Sequence, residues 1–287
     1  MILIADSGST KCDWRIVKED RSSVDFKTMG INPFFHNELV IEAELRKSEN
    51  VTTYKDGILS IFFYGAGSSS DHYKSIVERG LRKVFVNADI HIGHDLNGAA
   101  YAAWNGEPNI TCILGTGSNS CFFDGKELIE AVPALGYILG DEGSGSYFGK
   151  QLLRDHLYKR LPIKMSESLA EDLKINKSVI FENVYQKEHA NVYLASFMKF
   201  IANFRNTEYV TFMIQNGFQD FVNTHVKCFD NYQDVKTNFI GSVAFHFSQI
   251  LEDVCKRENI VLGEIIKKPI DGLVDFHFKY MPEKIRF

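Results

Sequence analysis

Asp6 opens the turn Asp6-Ser7-Gly8-Ser9-Thr10, with Lys11 next, directly after the apolar run at residues 2–5. A carboxylate at the mouth of a glycine turn is a hard oxygen donor set beside backbone N–H groups that can gather an anion. That combination holds Mg²⁺, directly or through water, next to a phosphate. Gly8 lets the backbone approach the anion, and Ser9 and Thr10 add hydroxyl donors that could cradle a terminal phosphoryl group. A second turn of the same chemical kind, Gly115-Thr116-Gly117-Ser118-Asn119, follows the apolar run at residues 110–114. Two such turns facing each other would grip a polyphosphate from both sides. Each is also compatible with a plain hairpin turn, and Asp6 lacks the G-K-[ST] continuation of a Walker A loop. Asp95 stands at the expected N-cap of a helix, a position where aspartate is common in any α/β protein. In Gly140-Asp141-Glu142-Gly143-Ser144, the start of a helix accounts for Glu142 and Ser144 through electrostatics and capping, and for Asp141 less well.

The elements that must position these groups read as a repeated pattern. Strands are expected at 1–5, 12–17 and 24–28, a helix at 38–47, a strand at 58–64, a helix at 71–83, a strand at 88–92 and a helix from 96. Two meandering connections followed by β-α-β crossovers predict a mixed sheet, antiparallel at one edge and parallel beyond it. The meander restarts at 110–114, 120–124 and 127–132, with Asp124-Gly125 as a hairpin signal. Helical spacing then dominates at 147–157, 166–173, 192–204 and 209–229. Short strands at 238–240 and 260–265 flank a helix over 243–257, and a last helix at 270–280 could fold back on the first half. The aromatic residues Phe197, Phe200, Phe204, Phe212, Phe218 and Phe221 have core-like spacing and are expected to pack rather than to stack on a ligand.

With 287 residues the chain can bury two cores, and the turn-prone stretch 105–109 is the expected break between domains 1–106 and 107–269, residues 270–287 returning to the first. A formal net charge of −5 offers no basic footprint for nucleic acid. No apolar stretch approaches membrane-spanning length, and the opening MILIADSGST lacks a basic segment or cleavage site. No membrane partner and a cytoplasmic location are therefore expected. The five cysteines are scattered without a C-x-x-C pair, and the nine histidines lack H-E-x-x-H spacing, so nothing indicates a metal held by side chains alone.

The pattern D-x-G-x-T-K-x-x-W from Asp6 to Trp14 resembles the first phosphate motif of the superfamily that contains sugar kinases, heat-shock chaperones and actin. The ordered set of that motif, Gly30-Ile31-Asn32-Pro33, Gly65-Ala66-Gly67, His94-Asp95, Gly115-Thr116-Gly117-Ser118-Asn119, Gly140-Asp141-Glu142-Gly143-Ser144 and Gly241-Ser242-Val243-Ala244 is similar to the N-acetylglucosamine kinases and related BadF/BadG-type ATPases. The resemblance covers essentially the whole chain. It implies an α/β fold of two actin-like (ribonuclease H-like) ATPase domains, each a mixed five-stranded sheet, around a central cleft.

The activity implied is ATP-dependent transfer of a phosphoryl group to a sugar hydroxyl, the 6-hydroxyl of N-acetylglucosamine or a related amino sugar. Asp95 is then the general base, and Asp6 organises Mg²⁺. Gly8, Ser9, Thr10, Lys11, Gly115, Thr116 and Gly117 hold the ATP phosphates, and Gly241 and Ser242 meet the adenosine. Asn32, Ser68, Asn119 and Asp141 contact the sugar. Other relatives couple ATP hydrolysis to reductase or dehydratase activation through an iron–sulfur cluster, but no suitable cysteine follows Gly140. A non-catalytic sugar or nucleotide sensor is the remaining alternative, against which the retained Asp6, Asp95 and Asp141 argue. The zinc-bearing glucokinases are set aside for want of a Cys-x-Cys-rich loop. Oligomeric state is not readable; a homodimer is compatible with the sequence.

Overall fold

The computed structural model describes residues 1–287, which form two compact units: Met1–Glu107 with Lys268–Phe287, and Pro108–Lys267. In the first, strands β1 (Ile2–Ser7), β2 (Lys11–Val17), β3 (Ser23–Met29), β4 (Ser60–Gly65) and β5 (Asp89–His94) lie in the order β3-β2-β1-β4-β5. The β1–β2 and β2–β3 pairs are antiparallel, while β1–β4 and β4–β5 are parallel. Helices α1 (Glu38–Arg46), α2 (Glu49–Tyr54), α3 (Asp71–Arg82) and α4 (Asp95–Ala102) connect the strands.

Strand alternation explains why this sheet is covered on both faces. Leu3, Ala5, Ile61 and Phe63 point into one core with Ile41 of α1 and Val77 and Leu81 of α3. Ile2, Ile4, Phe62 and Tyr64 point into the other, where Ile270 and Leu273 of the C-terminal helix pack.

The second unit repeats the arrangement. Strands β6 (Asn109–Leu114), β7 (Ser118–Phe123), β8 (Leu128–Ile129), β9 (Lys236–Ile240) and β10 (Leu262–Ile266) lie in the order β10-β9-β6-β7-β8. Between β8 and β9 come α5 (Gly136–Leu139), α6 (Gly145–Leu157), α7 (Ile163–Glu171), α8 (Lys177–Phe181), α9 (Ala190–Ser196), α10 (Met198–Asn203) and α11 (Glu208–Phe221). Single π-helical turns, Glu182–Gln186 and Val222–Val226, continue α8 and α11. Then α12 (Ser242–His246) and α13 (Ser248–Arg257) join β9 to β10, and α14 (Ile270–Tyr280) packs in the first unit. No helix is long and apolar enough to cross a membrane.

The elements differ from the sequence reading where tertiary contacts overrule periodicity. The helices expected over 192–204 and 243–257 are each broken, at Phe197 and Phe247, because both rings turn into the core at the junction. The strand expected over 127–132 shrinks to Leu128–Ile129, whose pairing rests on Phe122 and Phe123 before Pro133 is reached. Helix α11 stops at Phe221, and the π-turn takes up part of the expected run to 229. Phe197, Phe200, Phe218 and Phe221 are buried as expected, but Phe212 lies on the solvent face of α11 at 64% exposure.

Candidate functional site

In the first unit, parallel pairing aligns the carboxyl ends of β1, β4 and β5, with Ser7 opposite Gly65 and Gly65 opposite His94. Three motifs distant in sequence thereby emerge along one sheet edge, the edge at which ligands meet open α/β sheets. Asp6 sits near the end of β1, partly buried, with Asp13 as its cross-strand partner. Burial, reinforced by the charges of Asp13 and Asp95, pushes its carboxyl up to about 7. The ammonium of Lys11 is engaged by Asp13, and Lys27 lies 3.6 Å from the other oxygen of the same carboxylate. A phosphate would compete with Asp13 for the Lys11 ammonium.

The turn after Asp6 is closed by the Gly8 N–H, which donates to the Lys11 carbonyl at 3.0 Å. That donor is used internally, and a phosphate would meet the other turn N–H groups and the hydroxyls of Ser9 and Thr10. Ser7, to which the sequence reading assigns no role, braces the turn from below. Its Oγ donates to the Ile31 carbonyl at 3.1 Å and accepts the Ile31 N–H at 2.8 Å. Gly30 explains how close this crossing is: a Cβ there would overlap the Gly8 carbonyl oxygen and the Ser9 backbone.

Asn32 is buried, and its Oδ1 accepts the Phe34 N–H at 3.0 Å, which shapes the loop. The Gly65–Gly67 turn packs on this side chain. Ser68 is fully buried with an unpartnered Oγ, so a sugar reaches it only if the turn shifts.

Asp95 is the first residue of α4 and not its N-cap, which corrects the sequence reading. The cap is His94, whose N–H donates to Asn97 Oδ1 at 3.0 Å, so the asparagine three residues on supplies the reciprocal bond. Asp95 Oδ1 accepts the Leu96 N–H at 2.9 Å and lies 3.0 Å from His94 Nε2.

In the second unit three motifs also converge. The Gly115 N–H closes its turn onto the Gly117 carbonyl at 3.0 Å. The first residues of α6 dock on the same turn, Gly145 N–H to Gly115 O at 2.8 Å and Ser146 N–H to Thr116 O at 3.0 Å. Asp141 is thereby set against Gly117: its Oδ1 accepts the Ser118 N–H at 3.2 Å and its Oδ2 the Ser146 hydroxyl at 3.4 Å. Burial pushes this carboxyl above its ordinary range, opposed by those two hydrogen bonds.

Gly241, at φ +126°, passes so close to Leu114 that a Cβ would overlap its carbonyl oxygen, while Ser242 opens α12 in an exposed position. Asn119 is tied into its own strand. It is buried, its Oδ1 takes the Ser120 N–H at 2.9 Å, and its Nδ2 reaches Glu130 at 3.4 Å. The loop carrying Asp141 is not a loose turn: residues 140, 141, 143 and 144 are all buried.

The first unit thus gathers Asp6, the turn at 8–11, Asn32, Ser68 and Asp95, and the second gathers the turn at 115–117, Asp141 and Gly241. Residues missed by sequence reasoning are mostly braces. Ser7 and His94 lie inside recognised motifs and could have been read there; Ser146 carries no local signal.

No protein-family model and no curated protein matches the chain. Among solved structures, a Porphyromonas gingivalis protein provisionally named an N-acetylglucosamine kinase is 38% identical, covering 98% of this chain and 100% of its own, with a TM-score of 0.91. A protein of Chromobacterium violaceum, provisionally given the same name, is 15% identical over 96% of this chain and 99% of its own, with a TM-score of 0.65. A ROK-family glucokinase from Streptomyces griseus, solved with glucose and AMPPNP, is 14% identical over 96% and 97%, at 0.57. The first likeness extends to sequence; the other two are likenesses of fold.

Proposed function

Because the chain belongs to the sugar kinases of the actin-like ATPase superfamily, we propose that it transfers the γ-phosphoryl group of ATP to the 6-hydroxyl of N-acetylglucosamine or a closely related amino sugar. The observation that carries this reading is the 38% identity to the Porphyromonas gingivalis protein, spread over 98% of the chain. The sugar oxygen attacks the γ-phosphorus, the bond to the β–γ bridging oxygen breaks, ADP leaves, and the hydroxyl proton passes to Asp95. A carboxylate at this position can accept that proton, and the Leu96 N–H at 2.9 Å and His94 Nε2 at 3.0 Å set the direction of its Oδ1. Asp141 and the Asn32 amide are assigned to sugar hydroxyls, and the turns at 8–11 and 115–117 to the phosphates. Gly241 and Ser242 are assigned to the nucleoside. A reaction that consumes ATP fits the cytoplasm.

The residues present suit magnesium. No group of three or more His, Cys, Asp or Glu side chains is placed to hold a metal by itself. Mg²⁺ commonly relies on one or two carboxylates with waters and substrate phosphates. Asp6, pushed up to about 7 by burial and by Asp13 and Asp95, is a carboxylate whose ionised form a divalent cation would favour. Bound there with ATP, the ion would neutralise charge on the phosphates.

A screen of free amino sugars, hexoses and muropeptide fragments with Mg·ATP, read as ADP release and by mass spectrometry of the product, tests the reading. A phosphorylated amino sugar is expected. A clear preference for a plain hexose overturns the amino-sugar assignment, and ADP release indifferent to every sugar overturns the kinase.

A further inference from the structure

Behind Asp141 the second unit makes an expensive local choice. The π-turn Val222–Val226, closed by the Lys227 N–H on the Val222 carbonyl at 3.0 Å, inserts a residue into the end of α11. Such turns redirect side chains that a regular helix would aim elsewhere, and they recur at functional sites. Here the turn brings His225 into the interior. The imidazole is 3% exposed, stacks on Phe221 with ring centroids 5.0 Å apart, and places Nε2 3.4 Å from Glu142 Oε2. Nδ1 is buried and has no partner.

Burial lowers the pKa of His225, so the ring is held neutral with a single proton. A carboxylate facing Nε2 assigns that proton to Nε2, and Nδ1 is left as an acceptor with no donor. A leucine or phenylalanine would fill the same space without stranding a polar atom. The imidazole must therefore do something that an apolar residue cannot, and the group it touches is the neighbour of Asp141.

Asp141 adopts a left-handed conformation at φ +58°, uncommon outside glycine, and such geometry persists only where its surroundings fix it. Three bonds hold it: Ser118 N–H and Ser146 Oγ to its carboxylate, and Ser144 N–H to its carbonyl at 3.1 Å. The loop is also tied through Glu142, whose Oε2 lies 3.4 Å from His225 Nε2.

We propose that His225 is a positioning residue for sugar binding: by holding Glu142 it fixes the loop at 140–144 and with it the direction of the Asp141 carboxylate. This inference rests on the reading of Asp141 as a sugar contact.

The test compares the wild type with His225→Leu, His225→Asn, Glu142→Gln and the double variant His225→Leu/Glu142→Gln, measuring kcat, the KM for sugar, the KM for ATP and the melting temperature. In His225→Leu the KM for sugar should rise about tenfold, the size of one modest polar contact to a charged group. The KM for ATP should stay within about twofold and the melting temperature should not fall. His225→Asn, whose amide can still donate to Glu142, should recover part of the loss. The double variant should be no worse than the worse single variant.

An unchanged KM for sugar in His225→Leu overturns the inference, as do equal rises in both KM values or additive losses in the double variant. If His225→Leu does not fold, Glu142→Gln reads the same link from the loop side, and an unchanged KM for sugar there overturns it. A wild type without sugar-dependent ADP release sinks the kinase reading, and this inference with it. An active wild type beside indifferent variants sinks the inference alone.

Discussion

At Asp95, one carboxylate oxygen accepts the Leu96 N–H and lies 3.0 Å from His94 Nε2, which orients the group. Replacing the carboxylate by an amide preserves size and removes the proton acceptor. Asp95→Asn should therefore lower kcat by about 10²–10⁴-fold, the range of general base catalysis, with the KM for ATP changed less than about twofold. Comparable turnover in steady-state ADP release would remove the role. Gly241 makes a different claim, because its φ of +126° and its closeness to Leu114 exclude a side chain. Gly241→Ala should cost about 1–3 kcal/mol from backbone strain alone, seen in a denaturant titration. If the turn serves the nucleoside, the KM for ATP should rise more than that for sugar. The sequence marks Asp6 and Asp141 as carboxylates in glycine turns and Asp95 as one at the start of a helix, since residue type and local order carry that much. It does not carry the crossing of Gly30 over Gly8, the Ser7 clamp on Ile31 or the docking of Ser146 on Thr116, because each depends on which strands and helices become neighbours.

Among the elements, α14 shows how a segment from the far end of the chain is anchored in the first unit. His277 Nδ1–H donates to the Leu273 carbonyl at 2.7 Å, and Nε2, 2.8 Å from Tyr64 Oη on β4, accepts its hydroxyl. Arg15 of β2 pairs with Asp271 at the start of the same helix. Burial lowers the His277 pKa to about 4 from an ordinary 6.5, so the folded protein binds fewer protons than the unfolded chain between those values. The neutral ring's full contribution is present above about pH 6.5 and is lost as pH falls towards 4, amounting to about 3 kcal/mol at the linkage rate of about 1.4 kcal/mol per pH unit. Thermal melts of wild type and His277→Phe between pH 7 and pH 4 check this: the wild type should lose stability faster on acidification, and parallel curves would refute it. Strands and helices with clean periodicity, such as β1, β4 and α3, are legible in the sequence. The breaks at Phe197 and Phe247 and the π-turn after Phe221 are not, since a buried ring or an inserted residue obeys the surrounding core and not the 3.6-residue repeat.

Over the whole molecule, the same strand order occurs twice, a three-strand meander extended on one side by two parallel strands. The meander is visible in the sequence because hairpin signals and alternation recur near residues 6 and 115. The long helical segment between β8 and β9 hides the second sheet's continuation, and β9 and β10 are short, the register between them shifting between Leu262 and Ile265. The proposed reaction assigns Asp6 and Asp95 from the first unit and the Gly115 turn, Asp141 and Gly241 from the second to a single turnover. That assignment has a calorimetric consequence, since a ligand stabilises only the parts of a protein to which it binds. At about a hundred times its Kd a ligand adds about 2.7 kcal/mol, which for a unit of this size raises the melting temperature by about 5–10 °C. With Mg·AMPPNP and the acceptor sugar together, the entire unfolding endotherm of the full chain should move upward. A residual transition that stays at its ligand-free temperature would mean that one unit takes no part in binding, and the division of roles between the two units would fail.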